Sequence, residues 1–223
     1  LIAYQFQPGF ILDQFPELLG GLKLTLIASA IGIAGALVVG VLAAACRSER
    51  VPLLDRLMAG YVEFFRNTPL LVQIFFLYFA LPEVGIKLDA FTVAWLALVL
   101  WGGAYQAENF RAGFEAVSRG YREAARALGL SQAQMFAAVV LPIGLRIALP
   151  SLTNIGISIL KNSSYMVAIG YHELTDTAVN IVSLSFRVFE MFFTIGVIYL
   201  GLAWLFGVGM GALERRLALP GSR

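Results

Sequence analysis

Three stretches of this chain, residues 24–46, 90–107 and 191–213, contain no Asp, Glu, Lys or Arg. Roughly 20 predominantly apolar residues in a helix suffice to cross a bilayer, where every backbone amide must be satisfied internally. These three runs are therefore predicted to be transmembrane helices. Composition points the same way: 59% of the 223 residues are hydrophobic, 13% are charged, and the mean hydropathy is +0.81. A soluble domain of this size would carry roughly twice the charge.

Two further spans are predicted with polar breaks. One runs over about 57–81, with Glu63 and Arg66 near its start and Pro69 inside it. The other runs over about 147–171, with Pro150 near its start and Lys161 as its only charge. Glycine and proline are tolerated in membrane helices, so five spans result. The first apolar run has no basic segment before it, so no cleavable leader is expected, and a chain starting at Leu1 is expected to lack a few preceding residues. No internal repeat or charged linker divides residues 1–223, which are expected to form one domain.

In a five-span arrangement, Arg47, Arg50, Arg56, Arg111, Arg119, Arg122, Arg126, Arg146, Arg215, Arg216 and Arg223 fall on one side. Only Lys23, Lys87 and Arg187 fall on the other. Short loops rich in Lys and Arg stay in the cytoplasm, so the amino terminus is expected outside and the carboxyl terminus inside. The net charge of +2 follows from this asymmetry, and no nucleic-acid partner is implied. The outer segments, 1–22, 82–89 and about 172–189, are left to meet an extracytoplasmic partner.

The longest polar interval, on the cytoplasmic side, has its own local logic. Glu123-Ala-Ala-Arg-Ala-Leu-Gly129 reads as a short helix closed by a glycine able to adopt the left-handed conformation. Ser131 stands three residues before Gln134, a capping-box spacing, and a second helix is expected over 132–141 until Pro142 interrupts it. Ala124, Ala125 and Ala127 would let a partner surface approach the backbone closely. An ordinary amphipathic surface helix is the competing reading of the same residues.

The spacing Glu-Ala-Ala-x3-Gly-x9-Val-x-Leu-Pro, from Glu123 to Pro142, resembles the signature loop of the membrane-spanning permease subunits of ATP-binding-cassette (ABC) importers. Val139 stands where that family usually has isoleucine. Residues 63–73, 105–113 and 160–164 look like its polar amino-acid branch. The resemblance implies an all-α integral membrane protein of the type I importer permease kind: five transmembrane helices plus short cytoplasmic coupling helices in a bacterial inner (cytoplasmic) membrane. It implies a coupling role, in docking a separate ATPase dimer, for Glu123, Ala124, Ala125, Leu128, Gly129, Leu141 and Pro142. It also implies an extracytoplasmic solute-binding protein as partner.

Intramembrane polar residues are the candidates for a substrate pathway, because burying them is costly unless they pair or line water. Lys161, Asn162, Ser163 and Ser164 stand together in the fourth span, and Gln73 lies deep in the second. An ammonium beside hydroxyl and amide donors suits a substrate carboxylate. The competing reading has Lys161 snorkelling and the serines bonding to their own helix. Lys-Asn-Ser-Ser resembles permeases for glutamate, aspartate or their amides, with another amino acid, such as a basic one, as the alternative. Glu108 and Arg111, three residues apart, are expected to pair with each other, and Arg66 to meet Glu63.

The stripes Gly32/Ala36/Gly40 and Ala203/Gly207/Gly211 permit close helix packing. Five spans are too few for a two-fold alternating-access pathway, so a second permease copy, identical or paralogous, is expected within the lipid bilayer. Cys46 is the only cysteine and reads as a packing residue. Enzyme chemistry finds little support. His172 is the only histidine and lacks a His-Glu-x-x-His partner, so no metal site is expected. No Gly-x4-Gly-Lys-Ser/Thr sequence is present, so no cofactor is expected on this chain and ATP would be used by the partner subunit. A polytopic enzyme or small channel is the reading outside the transporter class.

Overall fold

The computed structural model describes residues 6–49 and 52–217. Arg50 and Arg223 of the charge asymmetry, and residues 1–5 of the first outer segment, lie outside the described residues. Every described element is helical, so the chain is an all-α integral membrane protein, with four helical stretches long and apolar enough to span and a fifth span made of a bent pair.

The first charge-free run lies within α1 (Pro8–Ser48), 41 residues long. At 1.5 Å per residue it extends about 60 Å, twice the hydrocarbon thickness. Within the expected outer segment 1–22, the residues from Pro8 on form the outer part of α1, started by a proline at the first turn and continuing through Pro16. The second run lies in α4 (Ala90–Glu115), capped by Asp89, which accepts from Thr92 N at 3.0 Å. Those hydrogen bonds hold the Asp89 carboxyl below its ordinary range. The third lies in α9 (Val188–Leu217).

The expected span 57–81 is two helices meeting at 107°: α2 (Leu54–Asn67) and α3 (Leu70–Phe75), the latter prolonged by a π turn (Phe76–Ala80) and a 3-10 turn (Leu81–Val84). Thr68 precedes proline and is extended, φ −108° and ψ 139°, as the ring of Pro69 demands. The expected interruption at Pro142 is likewise corrected. The polar interval contains α5 (Arg119–Ala127) and α6 (Gln132–Met135), and α6 runs through a π turn (Phe136–Val140) directly into α7 (Leu141–Asn162). Two of the Leu-Pro pairs, Leu81-Pro82 and Leu141-Pro142, each follow five residues of π-helix, whereas Leu149-Pro150 lies inside α7. The wider turn accommodates a ring that lacks an N–H and would clash with the carbonyl four residues earlier. After Asn162 the chain tightens to a 3-10 helix (Ser163–Ile169), and α8 (Leu174–Ser185) precedes α9.

α1 and α4 form the central pair, with backbones brought together by small residues. A Cβ on Gly40 would lie 2.6 Å from Gln106 Cβ and 3.0 Å from its carbonyl carbon, and one on Gly32 would meet Leu98 Cβ at 2.9 Å. α4 crosses α7 at Gly113, where a Cβ would lie 2.5 Å from the Gly144 carbonyl oxygen. The Gly32/Ala36/Gly40 stripe therefore packs helices within the subunit. The other stripe is open at its middle residue: the nearest neighbour of Gly207, Ile157, stands 3.8 Å from a hypothetical Cβ. Gly40→Leu should force the central pair apart and lower stability by about 1–3 kcal/mol or more. Thermal unfolding in detergent measures this, and an unchanged midpoint would contradict the packing described.

Candidate functional site

The polar interval forms an elbow whose geometry follows from its sequence. α5 ends at Ala127, and Gly129 adopts φ +76°. Gly129 N donates to Arg126 O at 2.9 Å and Leu130 N to Ala125 O at 3.2 Å, the paired bonds of a Schellman motif. The capping box then starts α6: Ser131 Oγ accepts from Gln134 N at 3.4 Å, and Ser131 N donates to Gln134 Oε1 at 2.9 Å. No bond in this corner crosses to another helix, so it is a local structure encoded by about ten residues.

Its attachment to the bundle is non-local. Ala125 is buried with Phe114, Val117, Met135 and Val140, and Arg122 donates from Nη2 to Phe114 O at 2.6 Å. The elbow is thus held against the end of α4 and the start of α7. Glu123, Ala124 and Gly129 are exposed, Leu141 and Pro142 half-buried. Ala125, expected to face a partner, faces the core instead. Leu128 is 81% exposed and Tyr121 58%, on the side also presenting Ala124. Tyr121 is not among the residues the sequence motif marks. Its spacing of three and seven residues from Ala124 and Leu128 is the signal that finds it.

The intramembrane candidates separate into two places. Gln73 is 6% exposed and holds the bend of the broken span: its Nε2 reaches Phe65 O at 3.0 Å, Thr68 O at 3.1 Å and Thr68 Oγ1 at 2.9 Å. Its Oε1 is buried without a partner among the described residues. Lys161 is exposed at the end of α7. Ser163 Oγ donates to Leu160 O at 2.7 Å and Ser164 Oγ to Lys161 O at 2.8 Å, so both serines bond to their own helix. Asn162 lines a cavity of about 390 Å³ together with Pro69, Trp101 and Tyr165. That cavity joins the break after α7 to the bend before α3, a juxtaposition that hydropathy cannot reveal. Beside it Trp101 packs at a 40° tilt against Tyr105 with ring centroids 4.6 Å apart, and the Arg66 guanidinium lies 5.4 Å from the Tyr105 ring centroid. Arg66 therefore pairs with an aromatic face and not with Glu63, which accepts from Asn67 Nδ2 at 2.8 Å.

The profile of the family described as "Binding-protein-dependent transport system inner membrane component" matches residues 36–219. The chain belongs to this family. It is a permease of the ABC amino-acid importer type, a non-catalytic inner-membrane component, as the Glu123–Pro142 spacing implied. The permease is 36% identical over 217 residues to the glutamine transport system permease protein GlnP of Escherichia coli K12, covering 96% of this chain and 99% of that one. It is also 36% identical over 207 residues to the probable glutamine ABC transporter permease protein GlnM of Bacillus subtilis, covering 93% and 96%. A chain from the crystal structure of an amino acid ABC transporter with histidines superposes with a TM-score of 0.89 at 32% identity, over 96% of this permease and all of that chain. The inward-facing MetNI methionine ABC transporter matches with a TM-score of 0.80 at 20% identity and shares the fold.

At the end of the permease where the elbow lies, Glu108 ties α1 to α4. It accepts from Arg47 and, at 2.8 Å, from Arg111, which also reaches Glu115 at 2.6 Å. The Glu108–Arg111 pair stands as expected, and Arg47 joins it. Gln106 and Asn109 sew α4 to α7 through the Leu152 and Ser151 carbonyls, each at 3.2 Å. At the opposite end, α8 presses on Gly21 of α1, where a Cβ would meet Thr177 Oγ1 at 2.4 Å. Glu173, fully buried, caps α8 there and joins α1 and α9.

Proposed function

We propose that this permease forms half of the transmembrane path of an ATP-driven importer for a polar amino acid. Glutamine comes first, followed by glutamate, aspartate and asparagine. The observation carrying the substrate class is the 36% identity, over nearly the whole length of both chains, to permeases named for glutamine transport in two bacteria. A basic amino acid is the second reading.

Residues 1–223 act as one domain, amino terminus outside and carboxyl terminus inside, with no cofactor of their own. The excess of arginine at the elbow end supports this orientation. A separate ATPase dimer uses ATP and grips the elbow through Glu123, Ala124, Leu128 and Gly129, with Tyr121 added. Leu141, Pro142 and the buried Ala125 transmit movement inward. Because Ala125 and Arg122 anchor the elbow to α4, displacement passes along α4 to the cavity beside Trp101. A second permease, identical or paralogous, supplies the other half. Rocking of the two halves alternates access to substrate delivered by an extracytoplasmic binding protein. Asn162, Ser164, Lys161 and Gln73 border the path, and Ser163 braces it from within.

ATP-dependent uptake of labelled glutamine, glutamate, aspartate, asparagine, arginine and lysine into vesicles holding the complex tests this reading. Preferred uptake of glutamine is expected. Preference for arginine or lysine would move the assignment to the basic class, and flux independent of ATP would indicate a channel. In the same assay Lys161→Ala should lower uptake about tenfold with assembly intact, and unchanged uptake at normal expression would remove Lys161 from the path.

A further inference from the structure

We propose that the cytoplasmic-leaflet half of this permease holds one anionic phospholipid in a cleft between α1, α4, α7 and the end of α9. The cleft has a volume of about 400 Å³, within the usual range for ligand sites, and its walls include Val38, Val41, Phe110, Leu149 and Leu217, with Arg146 as the one charged residue. Val38 is 57% exposed, so the cleft opens sideways on the span.

The apolar and basic parts are ordered along the membrane normal. On α1, Val41 and Val38 lie about 9 and 14 Å from Arg47, the last basic residue of that helix. On α7, Leu149 lies about 4.5 Å deeper than Arg146. The deep end is thus hydrocarbon and the shallow end cationic, the amphipathic order of a phospholipid whose headgroup faces the elbow side. A free amino acid finds no polar partner on those deep walls.

Charge at the mouth selects the headgroup. Arg146, which alone of the arginines lines the cleft, makes no ion pair with any described residue, whereas Arg47 and Arg111 are both paired with Glu108. The nearby carboxylate of Glu214 accepts from Thr153 Oγ1 at 2.8 Å. An exposed guanidinium at the leaflet surface attracts an anionic headgroup, and basic pockets between membrane helices on this side are suited to it. Arg146 also stands one turn beyond Pro142, so an occupied cleft would brace the start of α7 where the elbow joins it.

The test is native mass spectrometry of the assembled complex, released in mild detergent from bilayers of equal phosphatidylcholine and phosphatidylglycerol. The wild type should retain one phosphatidylglycerol per copy of this chain in preference to phosphatidylcholine. Arg146→Gln should lower that retention about fivefold and Arg146→Lys should restore most of it. Leu149→Trp, which fills the cleft, should lower retention of both lipids, while Arg56→Gln, at an exposed arginine elsewhere, should change neither. Equal retention of the two lipids by the wild type, or retention unchanged in both Arg146→Gln and Leu149→Trp, would overturn the assignment. If Arg146→Gln fails to assemble, the wild-type preference and Leu149→Trp decide it.

Discussion

Gly129→Val should abolish ATP-driven uptake and lower retention of the ATPase subunit by at least about tenfold, while the permease itself still folds and reaches the membrane. The reason lies in the backbone. A Cβ at Gly129 would meet nothing within 4 Å, so the substitution introduces no clash with the bundle. Its cost is conformational: at φ +76° an L-residue pays about 1–2 kcal/mol, and a β-branched one more. The chain relieves that strain by giving up the left-handed turn, and with it the bonds from Gly129 N and Leu130 N that fix the angle between α5 and α6. Gly129→Asn should retain much of the activity, because asparagine tolerates this conformation. Co-purification with the ATPase subunit is the readout. Full retention and full uptake in Gly129→Val would remove the corner from the coupling mechanism.

Glu173→Ala is expected to be the most damaging single change at the outer end of the molecule, lowering stability by about 2–4 kcal/mol. Its Oε1 accepts from Thr175 N at 2.8 Å and Asp176 N at 2.9 Å, capping α8. Its Oε2 accepts from Thr25 Oγ1 at 3.2 Å and Tyr199 Oη at 2.8 Å, so one carboxylate joins α1, α8 and α9. Removing it leaves four donors facing a buried space. Burial pushes this carboxyl above the ordinary glutamate value of 4.5, and its four donors offset only part of that shift. A carboxyl raised in the folded state contributes stability that is full below its unfolded value and is lost as pH rises through the folded one. The wild type should therefore lose stability as pH climbs above about 4.5, and Glu173→Gln should flatten that slope. Thermal midpoints across this range check both statements. A slope of opposite sign, or an innocuous Glu173→Ala, would contradict them.

The parts of this molecule that were legible in its sequence are those set by neighbouring residues. Charge-free runs located α1, α4 and α9, because a bilayer imposes length and apolarity on each span separately. The elbow was legible for the same reason: Gly129, Ser131 and Gln134 act within a few residues of one another. Hydropathy, by contrast, gives 57–81 as one span with Pro69 inside it, because its average does not register that Thr68 is extended before Pro69 or that Gln73 folds back on the bend. It also stopped α1 short at Leu24, although the helix continues outward through Lys23 to Pro8. Pro142 was read as a break because the π turn that absorbs its ring has no distinct composition.

Candidate sites divide along the same line. The Glu108–Arg111 pair, three residues apart, was anticipated. Arg47, separated from Glu108 by 61 positions, was not, nor was the bond from Thr25 to Glu173 across 148. The cavity uniting Asn162 with Pro69 and Trp101 depends on how three elements pack, and only the neighbouring serines' bonds to their own helix could be foreseen.

Coupling requires that the elbow face the cell interior and be covered there by the ATPase. Because Cys46 is the only cysteine, Cys46→Ser combined with Leu128→Cys gives a single thiol at a highly exposed point of the corner. Its labelling by a membrane-impermeant maleimide is the decisive measurement. Reaction is expected in inside-out vesicles stripped of the ATPase, protection when the ATPase is added back, and no reaction in right-side-out vesicles. Labelling from the outer face, or labelling that the ATPase leaves unchanged, would contradict the coupling role.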